Sequence, residues 1–132
     1  LRGMGSGFLT QGIVARRSYA AGHRDVVVRL IRSTVEATRH AIANEESTKR
    51  SISKYLGITD GELLRQSYAY VAETFVREPF VPESTMQSMV QRMVQVNMID
   101  VKSARTTPTS AYFDNSYVTE LKQSGVLDNI WK

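Results

Sequence analysis

Two histidines, His23 and His40, and no cysteine make up the soft-ligand inventory of this chain. A zinc knuckle, a disulfide framework and a thiolate nucleophile are therefore excluded. The histidines are far apart in sequence, and no carboxylate stands at metal-ligand spacing from either. His23 sits at an expected helix start and reads as a capping or solvated group, and His40 reads as a residue on a helix flank. The stretch "GMGSG" (3–7) has the glycines of a phosphate loop but not the Gly-Lys-Ser/Thr that follows them, and no strand precedes it. It reads as a turn, and Ser6 is not in a nucleophile elbow. Met86, Met89 and Met93 recur at helical spacing. Such a stripe can line an adaptable peptide groove, but packing into a core is the expected role. Tyr68 is expected in the core, whereas Tyr70, on another helix face, could stand in a ligand cleft. The residues thus describe no self-contained active site. The expectation is a binding or interaction role, with no enzymatic activity, metal or cofactor.

Bulk properties agree with one folded domain over 1–132, 42% hydrophobic and 23% charged. The net charge of +4 comes from 17 basic and 13 acidic residues that are interspersed. The densest basic spots, Arg16-Arg17 and Lys49-Arg50, are too short for a nucleic-acid patch, so no nucleic-acid partner is expected. The longest strongly apolar run is Val26–Val28, which excludes a membrane-spanning helix. The start, "LRGMGSGFLTQG", has no signal-peptide pattern, and its glycine-rich opening without Met suggests an excised or fragmentary piece.

The elements that must position these residues are mainly helical. Residues 1–12 read as loop, and "GIVARRSYA" (12–20) predicts a short strand over 13–20. A long helix is expected over 24–44, with Val27, Leu30, Ile31, Val35, Ala41 and Ile42 on its inner face. A second, over 46–56, should end at a left-handed Gly57. "TDGE" (59–62) reads as a capping box in which Thr59 accepts from the Glu62 amide, opening a helix over 60–76 striped with Leu64, Tyr68, Val71 and Phe75. Pro79 and Pro82 predict an extended connector anchored by Phe80, followed by a helix over 83–97. Residues 100–111 read as a long surface loop, and Asp114 and Gly125 as the start and stop of a last helix over 115–124. The fold class is mainly α, with four to five helices and at most one or two short strands.

The order of these features resembles the C-terminal part of the solute-binding proteins of ABC importers, of the nitrate/sulfonate/taurine type that is similar to the thiamine-pyrimidine-precursor proteins. The residues that carry the resemblance are the strand candidate leading to "HRDVV" (23–27), "NEE" (44–46), "KYLGITD" (54–60), Tyr68 with Phe75, Pro79 with Pro82, and "FDNSYVTELKQSG" (113–125). They span the chain from about residue 8. The resemblance implies a two-lobed periplasmic-binding-protein fold in a longer protein, with a small organic or inorganic anion or precursor held between lobes and an ABC permease as partner. It implies a periplasmic or extracytoplasmic location for the parent family. By position alone, Thr10, Gln11 and Gly12 would lie near the interlobe hinge as ligand-binding residues. The helical stripes would need cover from a sheet, from each other or from a second chain, so a homo-oligomer is expected. The alternative is a free-standing helical interaction module or truncated gene product without transport activity. Val126, Leu127, Ile130 and Trp131 then read as a strap that docks onto the rest.

Overall fold

The computed structural model describes Leu9 and residues 11–132, and no strand occurs among them. Eight α-helices follow in order: α1 (Arg17–Gly22), α2 (Arg24–Ala43), α3 (Glu45–Leu56), α4 (Gly61–Thr74), α5 (Glu83–Gln95), α6 (Val101–Thr106), α7 (Ser116–Gln123) and α8 (Val126–Ile130), with a 3-10 turn at Thr109–Ala111. The mainly α class holds, but eight helices stand among the described residues where four to five were expected, because short capped turns such as α1, α6 and α8 form helices of their own. The strand expected over 13–20 does not form. Its first half is irregular and exposed, and "RSYAAG" winds into α1. Ile13-Val14 lean toward β structure, but a lone strand has no ladder to complete among the described residues, whereas the Ser-Tyr-Ala-Ala run closes helical bonds locally.

The core is the junction of α2 with α7 and α8. Val27, Ile31 and Val35 succeed one another at four-residue steps on α2 and meet Tyr117, Val118 and Leu121 of α7 and Leu127 of α8. Leu30, expected on this inner face, is instead 49% exposed, because the stripe follows the four-residue row and leaves position 30 to the side. Arg24 fastens the same junction from the rim. It donates to the Glu120 carboxylate at 2.7 Å and to the Ser116 hydroxyl and carbonyl at 3.2 Å, with its guanidinium 4.5 Å from the Tyr117 ring centroid.

The end of α2 needs partners for its last carbonyls, since no further helical turn supplies them. Asn44 leaves helical geometry, and its side-chain amide donates to the His40 carbonyl at 2.9 Å. The Thr48 hydroxyl takes the Ala41 carbonyl at 2.9 Å, and the Tyr68 hydroxyl takes that of Ile42 at 2.6 Å. This accounts for the burial of Thr48 and ties α3 and α4 to the end of α2. Gly57 stops α3 at φ 69°, as its position predicts. The cap of α4 falls one residue later than expected: the Asp60 carboxylate, not Thr59, accepts from an amide, that of Leu63 at 2.7 Å. An anionic acceptor at a helix N-terminus outcompetes a neighbouring hydroxyl.

The proline connector is irregular but not extended throughout: it bends at Arg77-Glu78, and the Phe80 amide donates to the Glu78 carbonyl at 2.8 Å across Pro79, while Phe80 packs against the core as expected. Beyond it, the segment expected as a loop over 100–111 contains α6 and the 3-10 turn. Asn97, in the left-handed region at φ 58°, turns the chain after α5, and the Asp100 carboxylate caps α6 through the Ser103 amide at 2.9 Å. The Asp114 carboxylate accepts from the Ser116 amide at 2.8 Å at the start of α7, and Gly125 ends that helix region at φ 75°. The apolar tail then forms α8.

These helices fall into two packing groups. α1, α2, α3, α4, α7 and α8 form the larger one. α5 packs on α6 and on the 3-10 turn, and no Cα of these elements comes within 8 Å of a Cα in any helix of the larger group.

Candidate functional site

Of the residues singled out by position, Thr10 lies outside the described residues, as do Ser6 and the "GMGSG" glycines. Gln11 and Gly12 are exposed in the irregular segment ahead of α1, and a side chain at Gly12 would meet open space. His23 stands between α1 and α2, its ring stacked on Tyr19 at 4.3 Å between centroids and its Nδ1 at 3.0 Å from the Tyr19 carbonyl oxygen. It is a joint between helices. His40 lies with its Nδ1 3.3 Å from the Asn44 side-chain amide nitrogen. The structure does not bring the two histidines together, and among the described residues no group of three His, Asp or Glu side chains could hold a metal ion.

Two of the open grooves between the helices are distinguished by their linings. The first, of about 390 Å³, runs between α3 and α4 and is lined by Ile52, Leu56, Gln66, Ser67, Tyr70 and Val71. It exists because α3 and α4 form a helical hairpin, turned by Gly57 and Asp60, whose facing stripes do not close on each other. Tyr70, expected as an exposed aromatic, is 63% exposed on its edge, and Leu56 and Tyr55 are 69% and 77% exposed. The polar side chains on the neighbouring turns pair locally. Glu62 pairs with Arg65 and accepts from the Gln66 amide at 2.7 Å, and Lys54 lies 5.2 Å from the Tyr55 ring centroid. The lining of the groove is mainly apolar.

The second groove, of about 470 Å³, lies within the smaller packing group. Gln87, Gln91 and Gln95 line one wall of α5 at four-residue steps, Val90 and Val94 form its floor, and Val101, Ala104 and Arg105 of α6 face them. Its chemistry is amide hydrogen bonding beside one cation. The glutamine row is legible in the sequence as a period of four, a signal that the methionine stripe on the same helix obscures. Met86, Met89 and Met93 themselves are half-buried.

Elsewhere the polar side chains tie elements together. Lys122 donates to Asp128 at 2.7 Å and to Glu78 at 2.6 Å, and these two contacts raise its pKa above the ordinary lysine value. The Ser116 hydroxyl and amide hold the Asp114 carboxyl below the usual carboxylate range, aided by Arg24 and Arg17. Trp131 donates its indole N–H to the Arg77 carbonyl at 3.0 Å, with the Arg77 guanidinium 5.2 Å from the ring centroid. No helix of the described residues is long and apolar enough to cross a membrane. Comparison with family models, with curated proteins and with solved structures found no match to this chain.

Proposed function

We propose that this chain is the C-terminal part of the solute-binding component of an ABC importer of the nitrate/sulfonate/taurine type. One observation supports the reading: helix boundaries fall on four of the motifs that carry the resemblance, in their order, although the strand candidate ahead of them runs into helix α1. "HRDVV" opens α2, "NEE" spans the break before α3, "KYLGITD" holds both the left-handed Gly57 and the Asp60 cap, and "FDNSYVTELKQSG" contains α7 between Asp114 and Gly125. In this reading a small anion or precursor binds between lobes, Thr10, Gln11 and Gly12 contribute from the hinge side, and a permease receives the loaded protein outside the cytoplasm. The ligand comes from the sulfonates, nitrate, bicarbonate or pyrimidine precursors.

A second reading, a free-standing helical interaction module, draws on the groove between α3 and α4 with its exposed Leu56 and Tyr70. Under either reading the chain by itself self-associates through such apolar surface, and light scattering with binding of a hydrophobic dye reports it. A thermal-shift screen of taurine, nitrate, bicarbonate and an aminopyrimidine against the full gene product separates the two. A ligand that binds only the native state raises the midpoint, by an amount set by its concentration over Kd. A midpoint unmoved by every anion and precursor sinks the transport reading.

A further inference from the structure

The groove between α5 and α6 is lined by polar side chains that the fold leaves unpaired. Among the described residues, no hydrogen-bond or ion-pair partner meets the side chains of Gln87, Gln91, Gln95 or Arg105, and all four are exposed. From residue 87 to residue 109 the single carboxylate is Asp100, and it is engaged at the start of α6, where it accepts from the Ser103 amide at 2.9 Å. No acidic side chain of this stretch therefore balances Arg105, which lies in the last turn of α6. The floor beneath is apolar, with Val90 buried and Val94 half-buried.

The spacing of the three glutamines matches an extended backbone. Four residues of helix advance about 6 Å along the axis. Alternate residues of an extended peptide advance about 6.6–6.8 Å and present their N–H and C=O on the same edge. A glutamine amide carries both a donor and an acceptor. Over two steps the mismatch is roughly 1.2–1.6 Å, which a side chain with several rotatable torsions absorbs. The chain already makes such a pairing once. The Val81 amide donates to Asn115 Oδ1 at 2.9 Å, and Asn115 Nδ2 donates to the Val81 carbonyl at 3.0 Å. A side-chain amide there takes the place of a neighbouring strand.

We propose that this groove binds an extended peptide segment that carries an acidic side chain. Gln87, Gln91 and Gln95 pair with the N–H and C=O groups of alternate residues, apolar side chains of the peptide settle on Val90 and Val94, and Arg105 pairs with the carboxylate. Recognition of an added strand draws its affinity from such main-chain bonds and its specificity from alternate side chains. A helical partner would present no free backbone groups to the glutamines, since its own bonds occupy them. Nucleic acid calls for several cations and for stacking rings, whereas the lining among the described residues holds one cation and no aromatic ring. A small anion would meet one exposed guanidinium, a contact of little worth in water. The site lies apart from the interlobe anion of the transport reading, and neither depends on the other.

The test is a nuclear magnetic resonance titration of the nitrogen-labelled full chain. The probe is the N-acetylated, C-amidated peptide Val-Thr-Glu-Thr-Val, whose alternation places its carboxylate and both valines on one side. The expected result is that the side-chain amide signals of Gln87, Gln91 and Gln95 and the Arg105 Nε–H signal shift together and saturate. Gln91→Ala, a change that an exposed helix position tolerates, should weaken binding roughly two- to tenfold. Arg105→Gln should weaken it about twofold to fivefold and abolish the preference over Val-Thr-Gln-Thr-Val. The backbone spectrum of each variant reports whether its fold is kept. Absence of any shift at millimolar peptide overturns the proposal, as do shifts confined to the groove between α3 and α4. Equal binding of the same peptide with its backbone amides methylated also overturns it, because the glutamines then pair with no backbone.

Discussion

Replacing Leu127 by alanine tests the placement of the core most directly. Leu127 is 0% exposed and sits where α2, α7 and α8 meet. Deleting three buried carbons forfeits roughly 2.4 kcal/mol of transfer free energy, and a cavity that the neighbours fill only in part raises the cost to about 3–4 kcal/mol. Leu30→Ala supplies the comparison. It removes the same atoms from a side chain that is 49% exposed and leaves an open site, so its expected cost is about 1 kcal/mol. Urea unfolding followed by the fluorescence of Trp131, the single tryptophan, measures both against the parent chain. If Leu127→Ala is too unstable to give a folded baseline, Leu127→Val, at about 1–1.5 kcal/mol, keeps the comparison measurable. Equal costs at positions 30 and 127 in monomeric protein would refute the reasoning. They would mean that α2 buries a second face against something outside the described packing.

Three further outcomes are expected. Gly57→Ala forces a side chain onto a left-handed residue at φ 69° and should cost about 1 kcal/mol in urea titrations, whereas Gly12→Ala, facing open space, should cost no more than a few tenths of that. Tyr68→Phe leaves the Ile42 carbonyl without its 2.6 Å donor and should lower the unfolding free energy by about 1–2 kcal/mol in the same assay. The Asp114 carboxyl is held below its ordinary value chiefly by Ser116, so its folded pKa is lower than its unfolded one. Its contribution is therefore present above the usual carboxylate range and disappears as pH falls through the depressed value. Acid unfolding of Asp114→Asn should show a shallower loss over that window than the parent, and identical profiles would remove Asp114 from the account.

What the sequence revealed followed the reach of local physics. Helix ends were legible wherever one residue closes a cap within a turn, as at Gly57, Gly125 and the prolines around Phe80. The same logic was available at Asp100, where a carboxylate precedes Ser103 by one helical turn, yet the polar composition of 100–111 outweighed it. Thr59 and Asp60 are adjacent candidates for one cap, and only the final helix geometry chooses between hydroxyl and carboxylate. The strand expectation at 13–20 rested on two β-branched residues, whose preference depends on a partner strand, and none stands beside them among the described residues. Leu30 was misplaced because a three- and four-residue pattern defines a broad face, and which edge is covered depends on where α7 and α8 arrive. The grooves were illegible for a related reason. Each lies between helices, and its residues acquire a common purpose only when the hairpins at Gly57 and Asn97 bring them side by side.

The Asn115–Val81 pair divides freedom to vary unequally between its two members. Asn115 contacts only the backbone of residue 81, an amide hydrogen and a carbonyl oxygen that every amino acid but proline offers. Position 81 can therefore drift among side chains that fit its half-buried setting while the joint persists. Position 115 cannot, because few side chains present a donor and an acceptor together at that reach. Asn115→Asp would set a carboxylate oxygen against the carbonyl it must greet, and Asn115→Ser would fall short of both atoms. In a library of random variants selected only for folding, residue 115 should emerge nearly fixed beside a permissive residue 81, so the joint will look one-sided in any record of tolerated change.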